Sequence, residues 1–279
     1  MTTFAKAGFN AVSYATFRPS YPAQVFKTVL SYHRGPSNLL LDLGCGHGLI
    51  SRELSPSFKA VLGTDPSASM IKQAKASSTS EAYKNVEFRE ASAEDLSFVG
   101  DGELDMVVAG QAAHWFDYSK VWPEIGRKMR KGGTLAFWGY KDNVFVEYPG
   151  ATKVLDEYCY GPNTMGPFWE MPGRQILRDK LRAVVPPAGE WEDVRRIEYE
   201  PGTSGKGSGT GELLMQRRLK LGEYPEKKAR KDGGEGDIVD EMFDKMLEVE
   251  PEWKAAGDKW RDFEVENEWG SVILMARKK

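Results

Sequence analysis

Three glycines at alternate positions, Gly44, Gly46 and Gly48, follow an apolar run made of Leu39, Leu40, Leu41 and Leu43, and the chain turns helical at Leu49. A buried strand, a tight glycine loop and a helix start let backbone N–H groups meet a ligand with no side chain between them. The loop falls at the carboxyl end of a strand, where open α/β sheets bind small molecules. Leu49 stands where the dinucleotide fingerprint needs glycine, so the spacing is Gly-x-Gly-x-Gly, preceded by Asp42. About twenty residues beyond Gly44, Asp65 follows a second apolar run, KAVLG, at 59–63. A carboxylate there can accept both hydroxyls of a ribose, because two adjacent donors suit its two oxygens. The plainer alternative makes Asp65 the cap of a helix over 67–76.

The same sheet rule supplies candidates for a second ligand. LDMVVA, 104–109, reads as a buried strand whose carboxyl end delivers GQAAHWFD, so Gln111, His114 and Trp115 face the crevice of the glycine loop. His114 is either a proton acceptor or a satisfied structural imidazole. RKGGTLAFWGY gives a fifth strand that leaves Trp138 and Tyr140 nearby. Upstream, FRPSYP holds an extended segment with Arg18 and Tyr21, either packing onto the core or closing as a lid with a cationic fork for an anion. Further on, Phe168, Trp169, Glu170 and Arg174 lie in a rigid proline- and glycine-rich loop and in the helix starting near Gly173; they either roof the crevice or pack beneath the loop.

These residues need a frame. Apolar residues at 25, 26, 29 and 30 mark a helix over 22–33, and a helix after Asp117 or Ser119 turns Val121, Trp122, Ile125 and Met129 to the sheet. A third strand covers 86–89, with Glu94 and Asp95 beyond it as solvated loop charges, and the last two strands cover 192–198 and 266–277. Between them lie Gly-rich tracts at 201–211 and 224–237, a short basic helix with Arg217, Arg218 and Lys220, and an amphipathic helix over 238–247. The expected fold is α/β, a Rossmann-like doubly wound sheet of seven strands, mostly parallel with one antiparallel strand in the edge region, plus a helical cap. Residues 1–279 form a single domain, with 1–22 as a lid and 143–190 and 201–262 as insertions capping the site.

A net charge of −3 offers no general attraction to nucleic acid or to an anionic membrane. No apolar run suffices to span a bilayer and the first residues lack a signal-peptide centre, which predicts a soluble, cytoplasmic chain, monomeric or weakly homodimeric. Two cysteines, Cys45 and Cys159, and three histidines give no metal-ligand spacing, so no metal is expected.

RPSYP (18–22), LDLGCGHG (41–48), GTDPSASM (63–70), AAHWF (112–116), FWGY (137–140) and GPFWEMPGR (166–174) run through most of the chain. Together they resemble the class I S-adenosylmethionine-dependent methyltransferases, and in particular the trans-aconitate methyltransferases of the fungal type. The resemblance implies methyl transfer from S-adenosylmethionine to a small-molecule acceptor, a carboxylate that becomes a methyl ester. It implies that Asp42, Gly44, Gly46, Gly48, Asp65 and Met70 bind the cofactor, with Gln111 beside them and Ser92 and Ala93 at the adenine, where relatives often place an aspartate at the position of Ser92. His114, Arg174 and Tyr140 would be catalytic, and Arg18, Tyr21, Trp115, Trp138 and Trp169 would bind the acceptor. Relatives carry a Trp-containing helix between the last strands, whereas ELLMQRRLKLGEYPEK has only Tyr224, so segment 212–225 bears on specificity. A phenol, thiol or amine acceptor, with His114 taking the proton, and cofactor binding without transfer are the alternatives.

Overall fold

A computed structural model describes residues 20–202, 215–221 and 237–279. Arg18, the rest of the expected lid through residue 19, and most of the Gly-rich tracts and of segment 212–225 lie outside the described residues. Helix α1 (Ala23–Tyr32) leads into β1 (Leu39–Leu43), and α2 (Leu49–Leu54) follows the glycine loop. Strand β2 (Ala60–Asp65), α3 (Ala68–Ala76), β3 (Val86–Glu90), β4 (Leu104–Gly110), α4 (Tyr118–Lys128) and β5 (Met129–Phe145) complete the alternating region. Beyond it come α5 (Pro149–Tyr160), α6 (Gly173–Arg178), β6 (Trp191–Tyr199), β7 (Met215–Lys220), α7 (Ile238–Val249), α8 (Pro251–Ala255) and β8 (Glu264–Lys278).

The sheet runs β3-β2-β1-β4-β5-β8-β6, with the first five strands parallel and β8 antiparallel to both of its neighbours, one position in from the edge. The order reverses beside β1, which is the switch point where such sheets open a crevice. Strands buried on both faces carry apolar residues at successive positions. Leu41, Leu43, Val107 and Leu135 join α4 on one face, while Leu40, Met106, Val108 and Ala136 join α1 and α2 on the other. Three helices fix their starts with side chains: Ser67 accepts from Met70 N–H ahead of α3, Asp117 from Ser119 N–H ahead of α4, and Asp237 from Val239 N–H ahead of α7.

Several expectations change. The basic segment after Met215 is a strand and not a helix: β7 pairs antiparallel with the first half of β8, setting Arg218 opposite Glu266 and Lys220 opposite Glu264. Without β7 the outer edge of that half would present unpaired backbone groups. β7 is an eighth strand, off the main path of seven. Met129 joins the core from β5, since α4 ends at Lys128. β5 continues to Phe145, past the position where the sequence leaves strand periodicity, because β8 pairs with it that far. Beyond it, Phe145, Ala151, Val154, Met242, Phe243, Met246, Trp253 and Val265 form a separate cluster, the core of the helical cap.

At the opposite end of the sheet His33 joins α1 to β5. Its Nε2 lies 3.0 Å from the Pro36 carbonyl, which can only accept, so Nε2 carries the proton and Nδ1 accepts from the Thr134 hydroxyl at 2.9 Å. Burial holds the imidazole below its ordinary pKa, and it is neutral in the fold. On acidification the unfolded chain takes up the proton first. The stability tied to His33 is therefore whole above the unfolded value near 6.5 and is lost as pH falls through the lower folded value. His33→Gln is expected to lose less thermal stability than the wild type between about pH 7 and pH 5; parallel melting curves would contradict this assignment.

Candidate functional site

Gly44, Gly46 and Gly48 all have positive φ, at 66°, 54° and 82°. Two of them are closed to side chains for packing reasons: a Cβ on Gly44 would sit 2.5 Å from Ala112 Cβ, and one on Gly48 would sit 2.5 Å from the Phe88 ring. A Cβ on Gly46 would meet nothing within 4 Å, so its surface is the one the loop leaves open. The loop is fastened at two points, and Asp65, which makes one of them, is itself held by Ser67. Cys45 N–H donates to the Thr64 carbonyl at 2.9 Å, Gly46 N–H donates to Asp65 Oδ2 at 3.0 Å, and Ser67 N–H donates to Asp65 Oδ1 at 2.8 Å. Asp65 does not cap α3, which is the role of Ser67; its carboxylate spans from the end of β2 to the loop. Asp42 is wholly buried below the loop and its Oδ2 accepts from the Ser51 hydroxyl at 2.6 Å, joining the end of β1 to α2. It braces the loop from beneath.

Farther along the crevice, Met70 and Ala93 are buried, and Ser92 is hydrogen-bonded to Glu94. Glu94, expected as a solvated charge, also accepts from Asp117 N–H at 2.9 Å and so ties the loop after β3 to the start of α4. Gln111 has a positive φ of 58°, and its amide spans to β5, donating to the Tyr140 carbonyl at 2.7 Å and accepting from Tyr140 N–H at 2.9 Å. It replaces the ladder that ends at Gly110, and Gly139 leaves room for it, since a Cβ there would lie 2.7 Å from Gln111 Oε1. Gln111 is thereby a positioning residue between two strand ends. Trp138, expected at the acceptor, lies in the core at 2% exposure with Tyr21 and Phe26 edge-on against its ring. Tyr21 is buried too and extends this aromatic cluster to Tyr140, 6.1 Å away.

His114 and Trp115 occupy a single 3-10 turn, Ala113–Trp115, at the end of β4, with His114 buried and the two rings 4.6 Å apart. Gly173 packs onto this turn so closely that a Cβ would lie 2.7 Å from the Trp115 ring, which sets the start of α6, and with it Arg174, beside His114 and Trp115. The Arg174 guanidinium lies 4.1 Å from the Trp169 ring centroid and 5.4 Å from that of Tyr160. Its Nη2 pairs with Asp142, and its Nε donates to the Tyr160 hydroxyl at 2.7 Å, which itself donates to Asp142 Oδ2 at 2.7 Å. Burial raises the Tyr160 hydroxyl well above its ordinary pKa, so it stays protonated for that bond. Phe168 stands out at 83% exposure and packs beneath nothing.

Sequence reasoning missed Asp142, Tyr160 and Arg178. Asp142 sits where the β5–β8 register shifts between Tyr140 and Asn143, a bulge that re-aims a side chain out of the alternating pattern. Burial pushes the neighbouring Cys159 thiol up to about 11, so it is no nucleophile at neutral pH. Among the described residues no group of His, Cys, Asp and Glu could hold a metal ion, and no helix is long and apolar enough to cross a membrane.

Residues 41–137 match the family model described as a methyltransferase domain. The chain is 28% identical over 265 residues to CRG1 of Saccharomyces cerevisiae, described as a probable S-adenosylmethionine-dependent methyltransferase, with 89% of this chain and 90% of that one covered. It is 32% identical over 132 residues to the methyltransferase gedG of Aspergillus terreus, with 46% and 40% covered. In fold it resembles a solved chain of Anaeromyxobacter dehalogenans described as a candidate type II methyltransferase, with a TM-score of 0.62, 24% identity, and 94% and 98% covered. Fold, glycine loop and domain match together define a class I methyltransferase. The enzyme depends on S-adenosylmethionine, and the open face of Gly46 fits that cofactor, because a backbone surface without a Cβ lies beside the Asp65 carboxylate.

Gly44 and Gly46 separate packing from binding. An alanine at either position costs roughly 1–2 kcal/mol of backbone strain, and at Gly44 the clash adds about 1–3 kcal/mol of overpacking. Gly46→Ala is expected to stay folded while its affinity for S-adenosylhomocysteine falls by about tenfold or more, whereas Gly44→Ala loses more stability in denaturant titration. Equal stability losses with unchanged calorimetric affinity would refute this division.

Proposed function

We propose that this chain methylates a carboxylate oxygen of a small organic acid, giving a methyl ester. The observation that carries the reading is Arg174, a guanidinium set against the rings of Trp169 and Tyr160 on the helix that packs onto the His114–Trp115 turn, with its Nη2 paired to the Asp142 carboxylate. Arginine presents paired donors to planar oxyanions, and a ring face restrains it for about 0.5–2 kcal/mol. Its bonds use Nε and Nη2, and Nη1 makes no hydrogen bond among the described residues, which leaves that edge for an acceptor.

S-adenosylmethionine supplies an electrophilic methyl group on a sulfonium. The rest falls to the protein. The open face of Gly46 and the Asp65 carboxylate would hold the nucleoside side, with Met70 and Ala93 as the apolar wall at the adenine. Arg174 would orient the acceptor, while His114, Trp115 and Tyr140 would keep water from the line of transfer. A carboxylate with an ordinary pKa of about 4 is ionised at neutral pH and needs no general base. The buried His114 at the end of β4 favours a second reading, a phenol, thiol or amine acceptor whose proton it would take.

Labelled S-adenosylmethionine, incubated with the protein and a panel of small carboxylic acids that includes trans-aconitate, tests the proposal. The expected product releases its label in mild base, as an ester does and an ether does not. His114→Asn should lower kcat/KM on the acid by less than about tenfold, whereas loss of a general base costs about 10²–10⁴-fold. Base-stable product, or a loss in the larger range, would overturn carboxylate methylation.

A further inference from the structure

The turn after β3 carries two hydrogen-bonding groups that the reading above leaves without a task. Ala91 N–H donates to the Asp65 carbonyl at 3.2 Å, which ties the chain just past β3 to the end of β2. In the strand order β3-β2-β1 the glycine loop follows β1, Asp65 ends β2, and Ser92 lies two residues past β3. A nucleoside with its ribose on Asp65 and its sulfur side on the glycine loop therefore extends its base towards this turn.

The two groups have opposite and fixed senses. The Ser92 hydroxyl donates its one proton to Glu94 Oε2, and its oxygen accepts from Glu94 N–H at 3.1 Å. A hydroxyl has one proton and two lone pairs, so a single lone pair remains on Ser92 and the group can only accept. Glu94 is held to this arrangement by its other oxygen, Oε1, which accepts from Asp117 N–H at 2.9 Å ahead of α4. Next in the chain, Ala93 is buried and its N–H makes no hydrogen bond among the described residues, so it is left to donate. An acceptor beside a donor is the complement of adenine, whose 6-amino group donates beside the accepting N1, whereas a 6-oxo purine has both senses reversed.

We infer that Glu94 is the positioning residue for base recognition: by holding the Ser92 proton it makes that hydroxyl an acceptor for the cofactor's 6-amino group, beside Ala93 N–H as the donor to N1. The inference rests on the placement of the adenine that the proposed function uses. Glu94→Gln reverses the sense of the hydroxyl. Asp117 N–H still holds the carbonyl oxygen of the new side chain, so its amide group turns to Ser92 and donates. With both lone pairs taken, the hydroxyl is left with only its proton to offer.

Three ligands read that sense directly: S-adenosylhomocysteine, its analogue with purine in place of adenine, which lacks only the 6-amino group, and S-inosylhomocysteine, the 6-oxo analogue. Calorimetry on the full chain should find the purine analogue bound about tenfold more weakly than S-adenosylhomocysteine, and the 6-oxo analogue about a hundredfold or more weakly. Glu94→Gln keeps the Asp117 bond and should bring the purine analogue to within about twofold of S-adenosylhomocysteine, while narrowing the gap to the 6-oxo analogue. Adding Ser92→Asp to that variant sets a carboxylate beside the new amide and should restore the preference for the 6-amino group, a rescue that a purely structural role of Glu94 would not give. Ser92→Ala alone should abolish the preference. A wild type that binds the purine analogue as tightly as S-adenosylhomocysteine, or binds neither, would overturn the inference. A preference that survives Ser92→Ala would put the base elsewhere and remove the placement on which the inference rests. A preference that Ser92→Ala abolishes and Glu94→Gln leaves intact, or equal weakening of all three ligands by Glu94→Gln, would keep that placement and overturn the role of Glu94.

Discussion

Asp65 accepts one hydrogen bond from Gly46 N–H and another from Ser67 N–H, and the crevice depends on that carboxylate. A glycine loop with three positive φ values has little conformational preference of its own. It is held by packing of Gly44 on Ala112 and Gly48 on Phe88, by the Cys45 bond to Thr64, and by Asp65. Charge-assisted bonds of this kind are roughly twice as strong as neutral ones. The ends of β1 and β2 are thereby locked in register at the switch point of the sheet, with Gly46 left as the one glycine of the three whose missing Cβ faces open space.

The acceptor side follows a different logic. The end of β4 carries a short turn with His114 and Trp115, Gln111 ties it to β5, and Gly173 brings α6 onto it. The bulge at the end of β5 then aims Asp142 at Arg174, and Tyr160 and Trp169 complete the frame. Each component comes from a different element beyond β4, and the helix that carries Tyr160 also supplies Ala151 and Val154 to the cap core around Phe145 and Trp253. The cofactor side is a local construction, whereas the acceptor side is a tertiary one.

That difference explains what could be read from the sequence. The glycine spacing, Asp65 and the five parallel strands follow from short-range patterns: apolar runs, punctuating glycines and a fixed interval to an acidic residue. The acceptor frame did not show itself, because Asp142 sits at a bulge and Tyr160 and Arg178 come together only through the packing of α5 on α6. Trp138 and Tyr140 illustrate the limit: alternation placed both near the crevice, yet Trp138 points into the core and only Tyr140 stays partly exposed. The basic stretch at 215–220 misled for a related reason, since a strand in that position is decided by the open edge of β8 and not by its own residues.

The central claim is that the Asp65 carboxylate meets the cofactor's ribose beside the open face of Gly46. A calorimetric cycle measures that contact directly: S-adenosylhomocysteine and its 2′-deoxy analogue are titrated into the wild type and into Asp65→Ala. The account predicts that removing the hydroxyl weakens binding to the wild type and has little effect on the variant, a coupling of about 1.5–3 kcal/mol, as for a hydrogen bond to a charged group. An equal penalty for the deoxy analogue in both proteins would contradict it.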